Sequence, residues 1–269
     1  MIPARKPSAW RFIAACVLVI AFSTDASAAW IRGEYTSAGK PVEEYHCAPR
    51  SPGPDPAIII LHGASPKGAA FDYFEHVCTA LAAEGYYAEF IEYYSQTPAI
   101  LGDQADEMQK YFPVWLAEIR DGVAALHANP AVDSTRVGLL GYSLGAFLAL
   151  SSGALAPDKF SAIVEYYGGL PLPLLEQAKN MPPVLILHGD ADTLVPVALA
   201  KQLDSLLTAA DRPHELRIYP GAAHGFNFPR SPRWYNASDA DDSWKLTLGF
   251  FARYLKGTPP TSTTSASGF

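Results

Sequence analysis

Two runs in this chain, Ile58-Ile59-Ile60-Leu61 and Val184-Leu185-Ile186-Leu187, are apolar at every position, and each is followed directly by His-Gly. A strand with one face in water alternates polar and apolar residues. A run without alternation needs cover on both faces, which is the condition of a central strand in a parallel sheet. With these two, β-like runs fall at 57–61, 87–93, 136–140, 162–166, 184–188 and 215–219. Helix-like segments at 69–84, 102–128, 144–155, 197–209 and 241–255 separate most of them. Strands alternating with helices imply a single α/β domain, its mostly parallel sheet flanked by helices on both faces. Residues 30–35 and 43–47 are expected to add antiparallel edge strands. At 49% hydrophobic and 17% charged over 269 residues, the chain can bury one large core.

In open α/β sheets, functional loops gather at the carboxyl ends of the strands. Four of those ends carry chemistry. After 57–61 comes His62-Gly63-Ala64-Ser65, and after 136–140 comes Gly141-Tyr142-Ser143-Leu144-Gly145. After the run at 184–187 comes His188-Gly189-Asp190-Ala191-Asp192, and after 215–219 comes Pro220-Gly221-Ala222-Ala223-His224-Gly225-Phe226. The pentapeptide around Ser143 has an apolar strand before it and the helix-competent Ala146-Phe147-Leu148-Ala149-Leu150 after it, the context a nucleophile elbow requires. Serine, acid and histidine then follow in the chain order of the α/β-hydrolase triad.

Each partner answers a chemical need. A serine hydroxyl is a weak nucleophile until a base takes its proton, and His224 is the candidate base and later acid. An ionised carboxylate must hold the imidazole tautomer, and Asp192 is the candidate, with Asp190 competing from the same loop as a turn or capping residue. The backbone N–H groups of Leu144 and Ala64 are candidates for the oxyanion hole. His62 and His188 are expected to shape their loops, and His46, His76, His127 and His214 carry no motif. No H-E-x-x-H pattern or Cys/His cluster calls for a metal, and no cofactor is implied.

These elements together resemble the dienelactone hydrolase family of α/β hydrolases. The likeness is carried by Ile59-Ile60-Leu61-His62-Gly63, the Ser143 pentapeptide, Leu187-His188-Gly189-Asp190-Ala191-Asp192 with Val195-Pro196, Gly221-Ala222-Ala223-His224-Gly225-Phe226, and the run from Tyr235 to Trp244 leading into a last helix. The resemblance implies a serine hydrolase that cleaves carboxylic esters or lactones through an acyl-enzyme. The same triad also serves a peptidase or an acyltransferase, and a secreted binding protein with a relic triad is the alternative from outside enzymology. Namesake enzymes of the family carry cysteine where this chain has Ser143. They also bind a substrate carboxylate with arginines, one of them soon after the histidine. Here Arg230 lies six residues past His224 and is a candidate substrate contact, while 95–110 contains no arginine. Activity on dienelactone itself is therefore not expected. Phe226, with Tyr94, Trp115, Phe228 and Trp234, is a candidate for the pocket wall, although each aromatic taken singly also reads as an ordinary core or surface residue.

Residues 1–28 read as a secretory leader: basic Arg5, Lys6 and Arg11, an apolar stretch at 12–22 and a small-residue cleavage site Ala26-Ser27-Ala28. The hydrolase domain is expected over 29–257, followed by a flexible tail rich in Pro, Ser and Thr at 258–269. The predicted location is periplasmic or secreted, with no stable membrane association after cleavage. The formal charge is −7, and loss of the leader makes it two units more negative. Without basic runs, such a chain is a poor match for nucleic acid. A small-molecule ester or lactone is the expected partner, with the protein acting as a monomer. Export would leave Cys47 and Cys78, which could equally form a disulfide or remain core thiols.

Overall fold

The computed structural model describes residues 28–50, 52–100, 104–231 and 233–257. The leader through residue 27 and the tail at 258–269 lie outside the described residues. Eight strands form one sheet: β1 (Ile31–Ser37), β2 (Lys40–Cys47), β3 (Asp55–Leu61), β4 (Tyr87–Ile91), β5 (Val132–Tyr142), β6 (Ala162–Tyr166), β7 (Val184–Gly189) and β8 (His214–Tyr219). Their order in space is β1-β2-β4-β3-β5-β6-β7-β8. β1–β2 and β2–β4 pair antiparallel, and every pair from β4 onward is parallel. Among the described residues five α-helices accompany them: α1 (Phe71–Ala83), α2 (Ala105–His127), α3 (Leu144–Leu155), α4 (Ala198–Ala209) and α5 (Ala237–Lys256). This is the single α/β domain expected, with the two antiparallel edge strands at its N-terminal end.

The apolar strands divide their side chains between two cores. From β3, Ala57, Ile59 and Leu61 pack with Trp115, Ile119 and Val123 of α2 and with α3 and α4. Ile58 and Ile60 point the other way, toward Phe74, Val77 and Leu81 of α1 and toward Phe250 and Phe251 of α5. Each of these isoleucines is fully buried, which contributes roughly 1.5–3 kcal/mol apiece.

Boundaries differ from the pattern-based expectation where tertiary pairing extends or ends an element. β5 starts at Val132 rather than 136, because Val132 pairs with Asp55 before a register shift. A 3₁₀ segment at Leu172–Asn180 had no counterpart in the sequence pattern. α5 begins earlier, at Ala237, because the Asn236 side chain accepts from the Ser238 and Asp239 amides at 3.0 and 3.3 Å. That N-cap satisfies donors the first helical turn would otherwise leave open. Cys47 at the end of β2 and Cys78 in α1 are joined by a disulfide with Cα atoms 5.8 Å apart. Among the described residues, no helix is long and apolar enough to cross a membrane.

Candidate active site

β5 runs into Ser143 and α3 leaves it, so the serine sits in the turn between strand and helix. Its backbone is held at φ 53° and ψ −118°. A non-glycine residue there costs about 1–3 kcal/mol and persists only when its surroundings over-determine it. They do: the Ser143 amide donates to the Tyr166 carbonyl at 2.9 Å, and the Ser143 carbonyl accepts from the Ala146 amide at 2.8 Å. The flanking glycines permit the close approach. A Cβ on Gly141 would lie 2.4 Å from the Gly145 carbonyl oxygen, and one on Gly145 would lie 2.2 Å from that of Leu61.

The loops after β7 and β8 meet the serine hydroxyl. His224 Nε2 lies 2.9 Å from Ser143 Oγ, and His224 Nδ1 lies 2.7 Å from Asp192 Oδ2. With Nδ1–H donating to the carboxylate, Nε2 is left as the acceptor for the serine proton. Asp192 Oδ1 accepts from the Leu194 and Val195 amides at 2.9 and 2.8 Å. Asp190 is turned away to accept from the Gly221 amide at 2.6 Å, which joins the two loops. Burial alone would raise the Asp192 carboxyl. The bonds from His188, His224 and the Val195 amide outweigh it and hold the group well below the usual carboxylate range.

Behind this line lies a second buried layer. His188 is fully buried; its Nε2 donates to the Val195 carbonyl at 2.9 Å and approaches Asp192 Oδ2 at 3.4 Å. It therefore does more than shape a loop, since it touches the carboxylate that touches His224. Burial lowers the affinity of His188 for a second proton, but Asp192, Glu165 and the Val195 carbonyl raise it above the ordinary value. Glu165 on β6 is also fully buried, accepting from the Gly168 amide at 2.7 Å. Burial pushes its carboxyl up to about 7, against the pull of His188 and of that amide.

On the opposite side, the His62-Gly63-Ala64 loop lies against the serine. A Cβ on Gly63 would come within 3.2 Å of Ser143 Cβ and 3.9 Å of its Oγ. Gly63 and Ala64 line the cavity at the hydroxyl, and Leu144 opens α3, where the first N–H of a helix has no intrahelical partner. Both candidate oxyanion donors thus border the serine, and the positive end of the α3 dipole favours negative charge at the same place.

The cavity has a volume of about 220 Å³. Phe228 and Trp234 are on its wall, with Tyr73, Phe74, Tyr142 and Tyr167, which pattern reasoning missed. Tyr142 could have been found, because it immediately precedes the elbow serine. Tyr167 could not. It stands at φ 45° directly after β6 and sets its ring 4.6 Å from the His224 ring in a T-shaped contact.

Neither of the two expected substrate contacts lines the cavity. Phe226 is fully buried, packed 4.8 Å from Tyr219, and does not reach the cavity. Arg230 is spent elsewhere: its Nη2 pairs with Asp72 of α1 at 2.5 Å and its Nη1 donates to the Ala69 carbonyl at 3.0 Å. Tyr94 and Trp115 belong to the core beneath, where Trp115 donates to Thr97 at 2.7 Å. No group of three or more His, Cys, Asp and Glu among the described residues is arranged to hold a metal.

The model of the dienelactone hydrolase family matches residues 42–255. The chain belongs to the dienelactone hydrolase family. A Rhodococcus opacus carboxymethylenebutenolidase is 26% identical over 233 residues, covering 77% of this chain and 90% of that protein. A protein of Escherichia coli (strain K12) assigned as a carboxymethylenebutenolidase is 28% identical over 241 residues, with 81% and 84% covered. Among solved structures, a Klebsiella pneumoniae protein assigned as a dienelactone hydrolase superposes with a TM-score of 0.72 at 26% identity, covering 84% of this chain and all of that one. The fold is that of the α/β hydrolases, and this dienelactone hydrolase family member is a carboxylic ester hydrolase acting on small molecules.

Proposed function

We propose that the protein cleaves carboxylic esters or lactones through an acyl-enzyme, with Ser143 as nucleophile, His224 as proton carrier and Asp192 as its orienting carboxylate. The observation that carries this reading is the unbroken line from Ser143 Oγ to His224 Nε2 at 2.9 Å and from His224 Nδ1 to Asp192 Oδ2 at 2.7 Å. The serine oxygen adds to the ester carbonyl as its proton passes to Nε2. The developing imidazolium is stabilised by the ionised Asp192. The carbonyl oxygen, now negative, is held by the Leu144 and Ala64 N–H groups. Collapse of the tetrahedral intermediate breaks the bond to the alkoxy oxygen, which takes the proton back from Nε2. Water then enters by the same steps and releases the acid; in a lactone the alcohol and acid remain one molecule. Relatives named for a butenolide, a lactone, support including lactones in the substrate range.

A fluorophosphonate probe tests the assignment. Wild type is expected to gain one adduct on Ser143, while Ser143→Ala gains none and loses about 10⁴-fold or more in kcat on a p-nitrophenyl ester. An unlabelled, folded wild type would refute it.

The proposal extends to location: the leader at 1–28 directs export, and the Cys47–Cys78 bond, of a kind that persists in oxidising compartments, supports that placement. A mature N-terminus at Ala29 in an exported fraction is the expected outcome, and an intact leader on soluble intracellular protein would count against it.

A further inference from the structure

We infer that the substrate is an uncharged ester with a short acyl group and a flat, apolar body, and that esters carrying a carboxylate are rejected. The inference rests on the ester-hydrolase reading above and deepens it.

The first observation is charge. The cavity at Ser143 is walled by aromatic rings, glycines, alanines and serines; apart from His224, no titratable side chain other than tyrosine lines it among the described residues. Two arginines adjoin lining residues in sequence, Arg230 before Ser231 and Arg233 before Trp234, and neither lines the cavity; Arg230 has its Nη2 on Asp72 and its Nη1 on the Ala69 carbonyl. Lys67, just past the Gly63 loop, is bound to Glu43 at 2.9 Å. A carboxylate brought into this cavity would give up part of its water and find no cation among the lining residues, and a charge desolvated without a partner is disfavoured.

The second observation is where the wall's polar atoms point. The Tyr167 hydroxyl donates to Asn227 Oδ1 at 2.9 Å, and Asn227 Nδ2 donates to the Tyr73 hydroxyl at 3.2 Å. The chain Tyr167–Asn227–Tyr73 engages these groups with one another, so the rings meet the ligand with apolar surface. Tyr73 is braced by Phe228 in a T-shaped contact at 4.7 Å, which keeps that surface in place. Flat apolar groups pack well on such faces.

The third observation is size. Sites for drug-sized ligands measure about 300–1,000 Å³, and this cavity is about 220 Å³. The walls enclose a small ester, while a long acyl chain would extend beyond them into solvent.

The test uses the intact mature protein and two substrate sets with one leaving group, each kcat/KM divided by that substrate's own uncatalysed hydrolysis rate. In the first set, methyl 4-nitrophenyl terephthalate is compared with its free acid, mono-4-nitrophenyl terephthalate, whose para carboxylate cannot reach the reacting ester. The neutral diester is expected to be favoured by at least about 100-fold in kcat/KM. In the second, 4-nitrophenyl acetate and butyrate are expected to exceed the octanoate by about 10-fold or more. Phe228→Arg, which puts a cation on the wall, should shift the first ratio toward the free acid by about 10-fold, whereas Arg230→Ala should leave that ratio unchanged.

Fluorophosphonate labelling run alongside separates the two levels of the argument. An enzyme that labels at Ser143 but hydrolyses the free acid as well as the diester overturns this inference alone. An enzyme that labels and takes the octanoate as well as the acetate overturns the acyl-length half. A folded enzyme that does not label overturns the ester-hydrolase reading, and this inference with it.

Discussion

The elbow serine is approached from two sides, and the sides are built differently although each begins with His-Gly after an apolar strand. On the N-terminal side, His62 is stacked on Tyr93 at 4.0 Å with the rings nearly parallel, its Nε2 lies 3.3 Å from Glu92, and the Tyr93 hydroxyl donates to the His62 carbonyl at 2.6 Å. Farther out on that flank, the Cys47–Cys78 bond ties the antiparallel edge to α1. On the C-terminal side, Asp192 gathers two backbone amides, His224 and His188, with Glu165 buried behind them. One flank has only to hold a loop still beside the serine, and ring packing with a covalent link suffices. The other has to accept and return a proton, which requires polar groups that are paired and shielded from water. The same dipeptide therefore ends in a packing role at His62 and in contact with the proton machinery at His188.

That difference predicts a double dissociation. Asp192→Asn keeps the shape but removes the charge that fixes the His224 tautomer, so kcat/KM should fall about 10³–10⁴-fold in a protein that stays folded, the stability lost with the carboxylate being the smaller effect. Removing the disulfide by Cys47→Ala with Cys78→Ala should do the reverse. Release of a cross-link spanning 31 residues costs about 3.5 kcal/mol by loop entropy. Urea unfolding should register that loss, while kcat/KM of the folded protein changes by less than about threefold. If the cysteine pair lowered turnover as much as stability, or if Asp192→Asn unfolded the protein, the two flanks would not be functionally separate.

The chemistry-bearing loops were legible because each joins a reactive residue to small neighbours at the end of an apolar run. What stayed hidden was set by residues far away in sequence. Phe226 and Phe228 share one loop, yet Phe226 packs on Tyr219 while Phe228 meets Tyr73, and spacing does not say which way each faces. Arg230 resembles a ligand contact by its distance from His224, but its partner Asp72 lies on α1 and is identified only by the fold. Tyr167 carries no signature at all. Its left-handed backbone follows from the bonds on either side of it, Ser143 N–H to the Tyr166 carbonyl and Tyr167 N–H to the Leu187 carbonyl. β5 looked shorter than it is because the apolar run begins only after the polar Asp133-Ser134-Thr135, although its strand begins at Val132.

Glu165 offers the smallest and most discriminating test of the C-terminal flank. Its carboxyl titrates near 7 in the fold, against about 4.3 in an unfolded chain. Well below that lower value, both states are protonated and the group makes no difference to stability. As pH rises toward 7, the unfolded state gives up its proton first, so the folded state loses ground; above 7 the loss is complete and constant. By linkage it amounts to at most about 4 kcal/mol. Glu165→Gln keeps an oxygen to accept the Gly168 amide and removes the titration. The variant should match wild type in stability at pH 4, exceed it increasingly from about pH 4.5 to 7, and hold that margin at pH 8. Denaturant unfolding at those pH values reads the effect directly. A constant difference across the range would assign Glu165 a packing role only, and would leave Asp192 as the charged group on which that flank depends.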